Sequence, residues 1–150
     1  MIIVNASPLV ALTKVHRMDL FSALFGKVVI PQAVHQELTD HKAVPPDQRQ
    51  QILEAVDTNI IEVLTEMNTG TFSRESLGPG ERGVLNLALQ YTPQRILIDD
   101  KRARNEAREL GFGEKLMLTS TMLKLAAEQN LADYEDIMHR LRRHGIMLPE

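Results

Sequence analysis

Several carboxylates stand where predicted strands end or predicted helices begin. Asp99 and Asp100 directly follow the apolar run 95–98, and Asn5 follows the run 2–4. Glu81 lies at the start of a helical pattern, and Glu37 lies within the helical pattern that Pro31 opens. Clustered carboxylates raise one another's pKa, and a divalent cation relieves that repulsion. Oxygen ligands select Mg²⁺ or Mn²⁺, which can polarise a phosphodiester and lower the pKa of attacking water. These residues predict metal-dependent hydrolysis of a phosphodiester, most simply of RNA.

Glu81 shares helical spacing with Val84, Leu85 and Ala88, so it heads the apolar face of its helix. A carboxylate there cannot easily reach bulk water, and burying it unpaired would be costly. The simpler interpretation is an acidic residue in a first helical turn, which the helix dipole favours. The spacing leaves both interpretations open.

The other two carboxylates also have a structural interpretation. Asp100 is in line with Ala103 and Ala107, and it can serve as the N-cap of that helix. Glu37 lies on the flank of an inward face, beside Leu38, and it can equally be a helix residue exposed to solvent.

The elements that must position these residues alternate along the chain. Short apolar runs at 2–4, 28–30, 60–64, 95–98 and 115–118 are predicted strands, and helical patterns follow them. Alternation of this kind predicts a three-layer α/β/α domain with a mainly parallel sheet of about four to five strands. In such sheets, ligands bind beyond the carboxyl ends of the strands. Ser7 is predicted to cap the first helix, and the polar segment Asn68–Ser76 is predicted to be a mobile connection.

Length and composition limit the other possibilities. The chain has 150 residues, no cysteine and a formal net charge of −3. We expect one domain over residues 1–150, a reducing, cytoplasmic location and no membrane span. The net charge argues against bulk wrapping of nucleic acid. Two local basic patches remain, and they can also be solvated helix faces: Lys101, Arg102, Arg104 and Arg108 in the first, and Arg140, Arg142 and Arg143 in the second.

The ordered motifs resemble the PIN-domain family. The opening run 3–10, Ile-Val-Asn-Ala-Ser-Pro-Leu-Val, is similar to a PIN-related subgroup whose members begin with Asn-Ala-Ser-Pro-Leu. Three later stretches match the same subgroup in the expected order: 29–38, 77–81 and 98–111. Together these stretches extend over nearly the whole chain.

The resemblance implies a set of site residues. The first family acid falls at Asn5 and the second at Glu37 or Glu81. The next falls at Asp100, with Asp99 as the alternative. The fourth falls just after Leu118, where the chain has Thr119, Ser120 and Thr121. A neutral Asn5 and hydroxyls at the fourth position imply a weakened or altered metal site.

The resemblance also implies a function. It is that of a metal-dependent ribonuclease, often the toxin of a toxin–antitoxin pair, held inactive by a small antitoxin-like protein and commonly a homodimer. Lys101, Arg102 and Arg104 are predicted to hold RNA phosphates, and the hydroxyls of Ser7, Thr119 and Ser120 complete the predicted substrate contacts.

Two alternatives and one uncertain surface remain. Asn5 favours a catalytically degenerate module that binds RNA or a protein partner. A receiver domain is disfavoured, because its acidic pair would follow the first strand, where this chain has Asn5. The apolar stripe of the last helical pattern either packs on the domain or meets a second subunit; its members are Tyr134, Ile137, Met138 and Leu141.

Overall fold

A computed structural model describes residues 1–67 and 77–150. The predicted mobile connection Asn68–Ser76 lies outside the described residues. The described strands are β1 (Ile2–Val4), β2 (Val28–Pro31), β3 (Ile61–Leu64), β4 (Arg95–Leu97) and β5 (Leu116–Met117). The described helices are α1 (Ala6–Lys14), α2 (Asp19–Phe25), α3 (Gln32–Thr39), α4 (Pro46–Asp57), α5 (Pro79–Tyr91), α6 (Lys101–Glu109), α7 (Thr119–Glu128) and α8 (Tyr134–Arg143), with a 3₁₀ turn at Gly113–Lys115.

The five described strands form one parallel sheet in the order β3-β2-β1-β4-β5. Helices cover the sheet, which confirms the predicted α/β/α class. Strand β1 lies at the centre, with Ile3 opposite Val29 on one side and Ile96 on the other. All three residues are buried, as expected for strands covered on both faces.

The strand order creates a crevice at the carboxyl ends of β1 and β4. From β1 the chain builds outward through β2 and β3, then crosses to β4 and β5 on the other side. Such a reversal leaves an opening between the two central strands. Asn5 follows β1 directly, and its backbone N–H donates to the carbonyl of Leu97 (2.9 Å). Asp99 stands two residues after β4.

The structure corrects two expectations about helix starts. Helix α1 begins at Ala6 with Asn5 at the cap position, so Ser7 is not the N-cap but an exposed first-turn residue. The reason is that β1 pairing continues to Asn5, which leaves no loop before the helix. Helix α7 begins at Thr119, whereas the helical pattern of the sequence predicts a start near Thr121.

The apolar stripe of α8 is buried within its own chain. Ile137, Met138 and Leu141 are at most 5% exposed. The stripe therefore packs on its own domain, with Tyr134 partly exposed at its N-terminal end. Among the described residues, no helix is long and apolar enough to cross a membrane.

Two glycines let α5 lie close to the elements beside it. A Cβ on Gly83 would lie 2.9 Å from Cβ of Pro31, and a Cβ on Gly80 would lie 3.3 Å from Cγ2 of Val34. Glu66, just after β3, supports the same junction, because its carboxylate accepts a hydrogen bond from the N–H of Gln32 (2.9 Å). The start of α5 is thereby held against the end of β2 and the start of α3.

We expect Gly83→Ala to destabilise the protein by about 1–3 kcal/mol, because the new methyl group would overlap a rigid proline ring. Urea unfolding measures the change. Gly113→Ala is the control, since its Cβ would meet Arg108 at an ordinary 3.6 Å. Equal stability of both variants would contradict the close packing of α5.

Candidate functional site

Asn5 carries a buried amide oxygen that lacks a partner. The residue is 1% exposed, and its Oδ1 has no hydrogen-bond donor. Leaving a buried acceptor unsatisfied costs about 1–3 kcal/mol. An oxygen kept in this state at the sheet crevice is suited to ligating a cation.

Glu37 and Asn5 converge on Gly80. A Cβ on Gly80 would lie 3.1 Å from Oε2 of Glu37 and 3.7 Å from Oδ1 of Asn5. Both oxygens therefore lie within 4 Å of one point, which is open because residue 80 has no side chain. The two helices and one strand that meet here are α3, α5 and β1.

Glu81 adds a second carboxylate to this group. It lies in the first turn of α5 and is half-buried. The pKa of Glu37 is raised, first because neighbouring atoms remove part of its hydration and second because Glu81 places a negative charge nearby. We call Asn5, Glu37 and Glu81 the acidic cluster: Asn5 and Glu37 converge at Gly80, whereas the Glu81 carboxylate lies toward Gly78, where its Oε2 would be 2.7 Å from an added Cβ.

Asp99 is oriented by the first residue of α7. Its Oδ1 accepts from the backbone N–H of Thr119 (2.9 Å), and its Oδ2 accepts from the Thr119 hydroxyl (2.7 Å). Thr119 is fully buried, so this threonine fixes the carboxylate rather than facing solvent. Asp99 and Glu37 line the same cleft of about 380 Å³, together with the exposed Ser7.

Asp100 faces a different pocket. It is exposed and caps α6, with Oδ1 accepting from the N–H of Ala103 (2.8 Å), so the capping interpretation is confirmed. It lines a pocket of about 330 Å³ with Glu81, Lys101 and Arg102. Asp99 and Asp100, adjacent in sequence, therefore serve separate openings.

The donor chemistry fits a hard divalent cation, although the charge is low. Within residues 1–67 and 77–150, no group of three or more Asp, Glu, His or Cys side chains is gathered closely enough to hold a metal. The acidic cluster instead offers two carboxylates and the unpartnered amide oxygen of Asn5. Oxygen donors of this kind match Mg²⁺ or Mn²⁺.

A basic groove of about 310 Å³ adjoins Asp99. Its lining includes Lys101, Arg104, Arg108 and Pro149. Arg104 donates from Nη1 to the carbonyl of Ile98 (2.8 Å). Burial lowers the pKa of this guanidinium, the positive charge of Arg108 lowers it further, and Asp99 opposes the shift.

The family model DUF3368, PIN domain, matches residues 1–150. The chain belongs to the PIN-domain family. This confirms the resemblance inferred from its motifs, and the family supports a nuclease-like fold. Neither a curated protein nor a solved structure shows significant similarity to the chain.

In this PIN domain, Glu37 and Asp99 line the cleft, Asn5 is buried beside Gly80, and Glu81 lines the neighbouring pocket with Asp100. Ser120 is 1% exposed, and its hydroxyl donates to the carbonyl of Pro149 (2.8 Å), which lines the cleft.

Sequence reasoning missed two parts of the crevice. Gly80, placed directly before Glu81, could have indicated a close approach to a neighbouring element. The segment Ile146–Pro149, which walls the cleft, gave only an apolar run after Gly145 as a signal.

The raised pKa of Glu37 predicts a pH-dependent stability. The stability supplied by its protonated form is complete below the unfolded-state pKa and is lost as pH rises through the higher folded-state pKa. We expect Glu37→Gln, which remains neutral, to be more stable than wild type at neutral pH and to match it in acid. Urea unfolding across pH measures the difference. If Glu37→Gln gives the same gain in stability in a Glu81→Gln background as in wild type, Glu81 is not a source of the raised pKa of Glu37.

Proposed function

We propose that this PIN-domain protein is a ribonuclease that hydrolyses phosphodiester bonds with Mg²⁺ or Mn²⁺. The observation that carries the proposal is the unpartnered oxygen of Asn5, which shares one open point beside Gly80 with the carboxylate of Glu37. Partial burial raises the pKa of Glu37, and the negative charge of Glu81 raises it further, so the pair would gain from a cation.

The acidic cluster would hold the ion through Asn5, Glu37 and Glu81. When bound, the ion supplies charge stabilisation at the phosphate and a more acidic water. Asp99 lies in the same cleft as Glu37, with each oxygen engaged by one hydrogen bond. Each carboxylate oxygen has a further lone pair, so Asp99 can still accept a hydrogen bond from an attacking water and orient it.

The basic groove would hold the RNA backbone. Lys101, Arg104 and Arg108 line it directly beside Asp99, which brings bound phosphate next to the cleft. Arg102 lies with Asp100 at the neighbouring pocket and would contact the strand further along. Ser7, exposed in the cleft, is within the substrate's path, whereas buried Thr119 and Ser120 would act by positioning Asp99 and Pro149.

The second candidate is a degenerate PIN domain that binds RNA or a protein partner without cutting. Asn5, neutral where the family resemblance implies an acid, favours it, and so does the lack of a three-carboxylate group in the described residues. We further propose a homodimer and inhibition by a small antitoxin-like protein, on the resemblance, and a cytoplasmic location and a single domain over residues 1–150, on composition and length.

The decisive experiment is cleavage of a mixed-sequence single-stranded RNA with Mg²⁺ or Mn²⁺ against EDTA. We expect cleavage by wild type in either metal and none in EDTA. Glu37→Gln, Glu81→Gln and Asp99→Asn should each lower the rate at least about 100-fold, because each changes a charge at the reacting phosphate.

Two matched variants serve as controls. Glu54→Gln removes an exposed carboxylate on α4 and should leave the rate unchanged. Asp100→Asn keeps a good capping residue while removing the charge. An unchanged cleavage rate would mean that Asp100 acts as a cap, and a lower rate would mean that its charge takes part in catalysis. Cleavage that persists equally in EDTA would refute the metal-dependent mechanism, and no cleavage by wild type would favour the binding module.

Asn5→Asp tests the metal without relying on activity. A third carboxylate should destabilise the metal-free protein, because a buried charge beside Glu37 is costly. We expect Mg²⁺ or Mn²⁺ to raise the melting temperature of Asn5→Asp more than that of wild type, because a charged ligand binds the ion more tightly. Melting temperatures with and without metal measure this, and an equal response in both proteins would place the ion elsewhere.

A further inference from the structure

The cleft beside the acidic cluster is lined by two unlike sets of residues. Ser7, Glu37 and Asp99 are polar. The segment Ile146–Pro149, which we call the aliphatic wall, is apolar throughout. The proposed catalysis uses only the polar residues. A volume of about 380 Å³ lies in the range of pockets that bind small organic groups.

The aliphatic wall is fixed at both ends. The N–H of Ile146 donates to the carbonyl of Leu141 (2.9 Å), at the end of α8. The buried hydroxyl of Ser120 holds the carbonyl of Pro149 (2.8 Å), and the Tyr134 hydroxyl donates to the Glu150 carboxylate. These hydrogen bonds therefore hold the segment in place along the cleft.

Met147 is the exposed part of this wall. Met147 is 77% exposed, the highest value among the large hydrophobic residues that the structure describes, although it stands between partly buried neighbours. A flexible, polarisable thioether adapts to flat apolar ligands. Because Met147 is exposed at the rim of the cleft, its side chain is available to contact a ligand and does not fill the core.

The aliphatic wall also borders the basic groove. Pro149 and Asp99 line both openings, so a ligand that crosses Asp99 meets cationic side chains on one side and aliphatic side chains on the other. A nucleotide has this same arrangement, since an anionic phosphate and a flat, uncharged base are joined through one sugar. A peptide would have to carry an anionic and an apolar group at a matching separation.

We propose that Ile146–Pro149 forms a nucleobase subsite, in which one base of the RNA packs against Met147 while its phosphate lies in the basic groove. The inference rests on the proposed nuclease function and extends it to the recognition of the base. The aliphatic surface contacts a base face without reading its edge, so binding requires a base but tolerates its identity.

A protein–RNA double-mutant cycle tests the subsite. Binding is measured by competition in Mg²⁺, in the Asp99→Asn background that is expected not to cut. The two probes are hexauridylate and a ribose-phosphate hexamer of equal charge without bases. With Met147 present, we expect hexauridylate to bind about tenfold more tightly than the abasic hexamer. Met147→Ala should bring this ratio to about twofold and leave the affinity for the abasic hexamer unchanged.

Met67→Ala is the matched control, because Met67 is also well exposed (61%) and is not among the described residues of either opening. It should keep the full tenfold ratio. An unchanged ratio in Met147→Ala would overturn the subsite. Tighter binding of both hexamers by Met147→Ala would also overturn it, because the segment would then be a cover over the cleft.

The two proposals fail in different ways. If wild type cleaves RNA with metal, but Met147→Ala does not change the ratio of affinities for hexauridylate and the abasic hexamer, the subsite is rejected and the nuclease is kept. A base ratio that depends on Met147, without cleavage by wild type in any metal, rejects the nuclease and keeps a subsite in an RNA-binding module.

Discussion

The close approach of α5 to α3 and the end of β2 is the constraint on which the site depends. Gly83 allows contact with the Pro31 ring, and Gly80 leaves an open point between Asn5 and Glu37. Any side chain at position 80 would occupy the space where the two oxygens converge. Glu81 lies in the first turn of the same helix, and its charge contributes to the raised pKa of Glu37. The packing of α5 therefore influences both the geometry and the electrostatics of the acidic cluster.

Asn5 adjusts that repulsion. An aspartate at this buried position would add a third negative charge to those of Glu37 and Glu81, and the pKa of Glu37 is already raised. The amide keeps an oxygen at the crevice without that charge, at the cost of leaving the oxygen unpartnered. At this one residue, a charge that would bind a cation more tightly would also destabilise the metal-free protein.

The sequence predicted the sheet, its parallel direction and the gathering of polar residues at one edge, because these follow from alternating apolar runs. It could not separate Asp99 from Asp100. Their roles depend on where α6 begins and on the pairing of β4 with β5, which brings Thr119 to Asp99 across 20 residues. The path of Ile146–Pro149 was likewise beyond prediction, because no periodicity marks a segment held by single hydrogen bonds. The prediction that Ser7 caps α1 was wrong for a local reason, since no loop separates β1 from α1.

Charge decides how a nuclease and a binding module would differ in this fold. The chain has a net charge of −3, and its cleft is lined by Glu37 and Asp99, of which Asp99 also lines the basic groove. Arg104, the partly buried cation of that groove, already donates one N–H to a backbone carbonyl. RNA phosphate entering the cleft would therefore meet negative potential before it reached the reacting position. A divalent cation among Asn5, Glu37 and Glu81 reverses that local sign, so the ion would be needed for productive binding as well as for chemistry. A module that only bound RNA would gain no affinity from Glu37 and Asp99 in the cleft that the phosphate would enter.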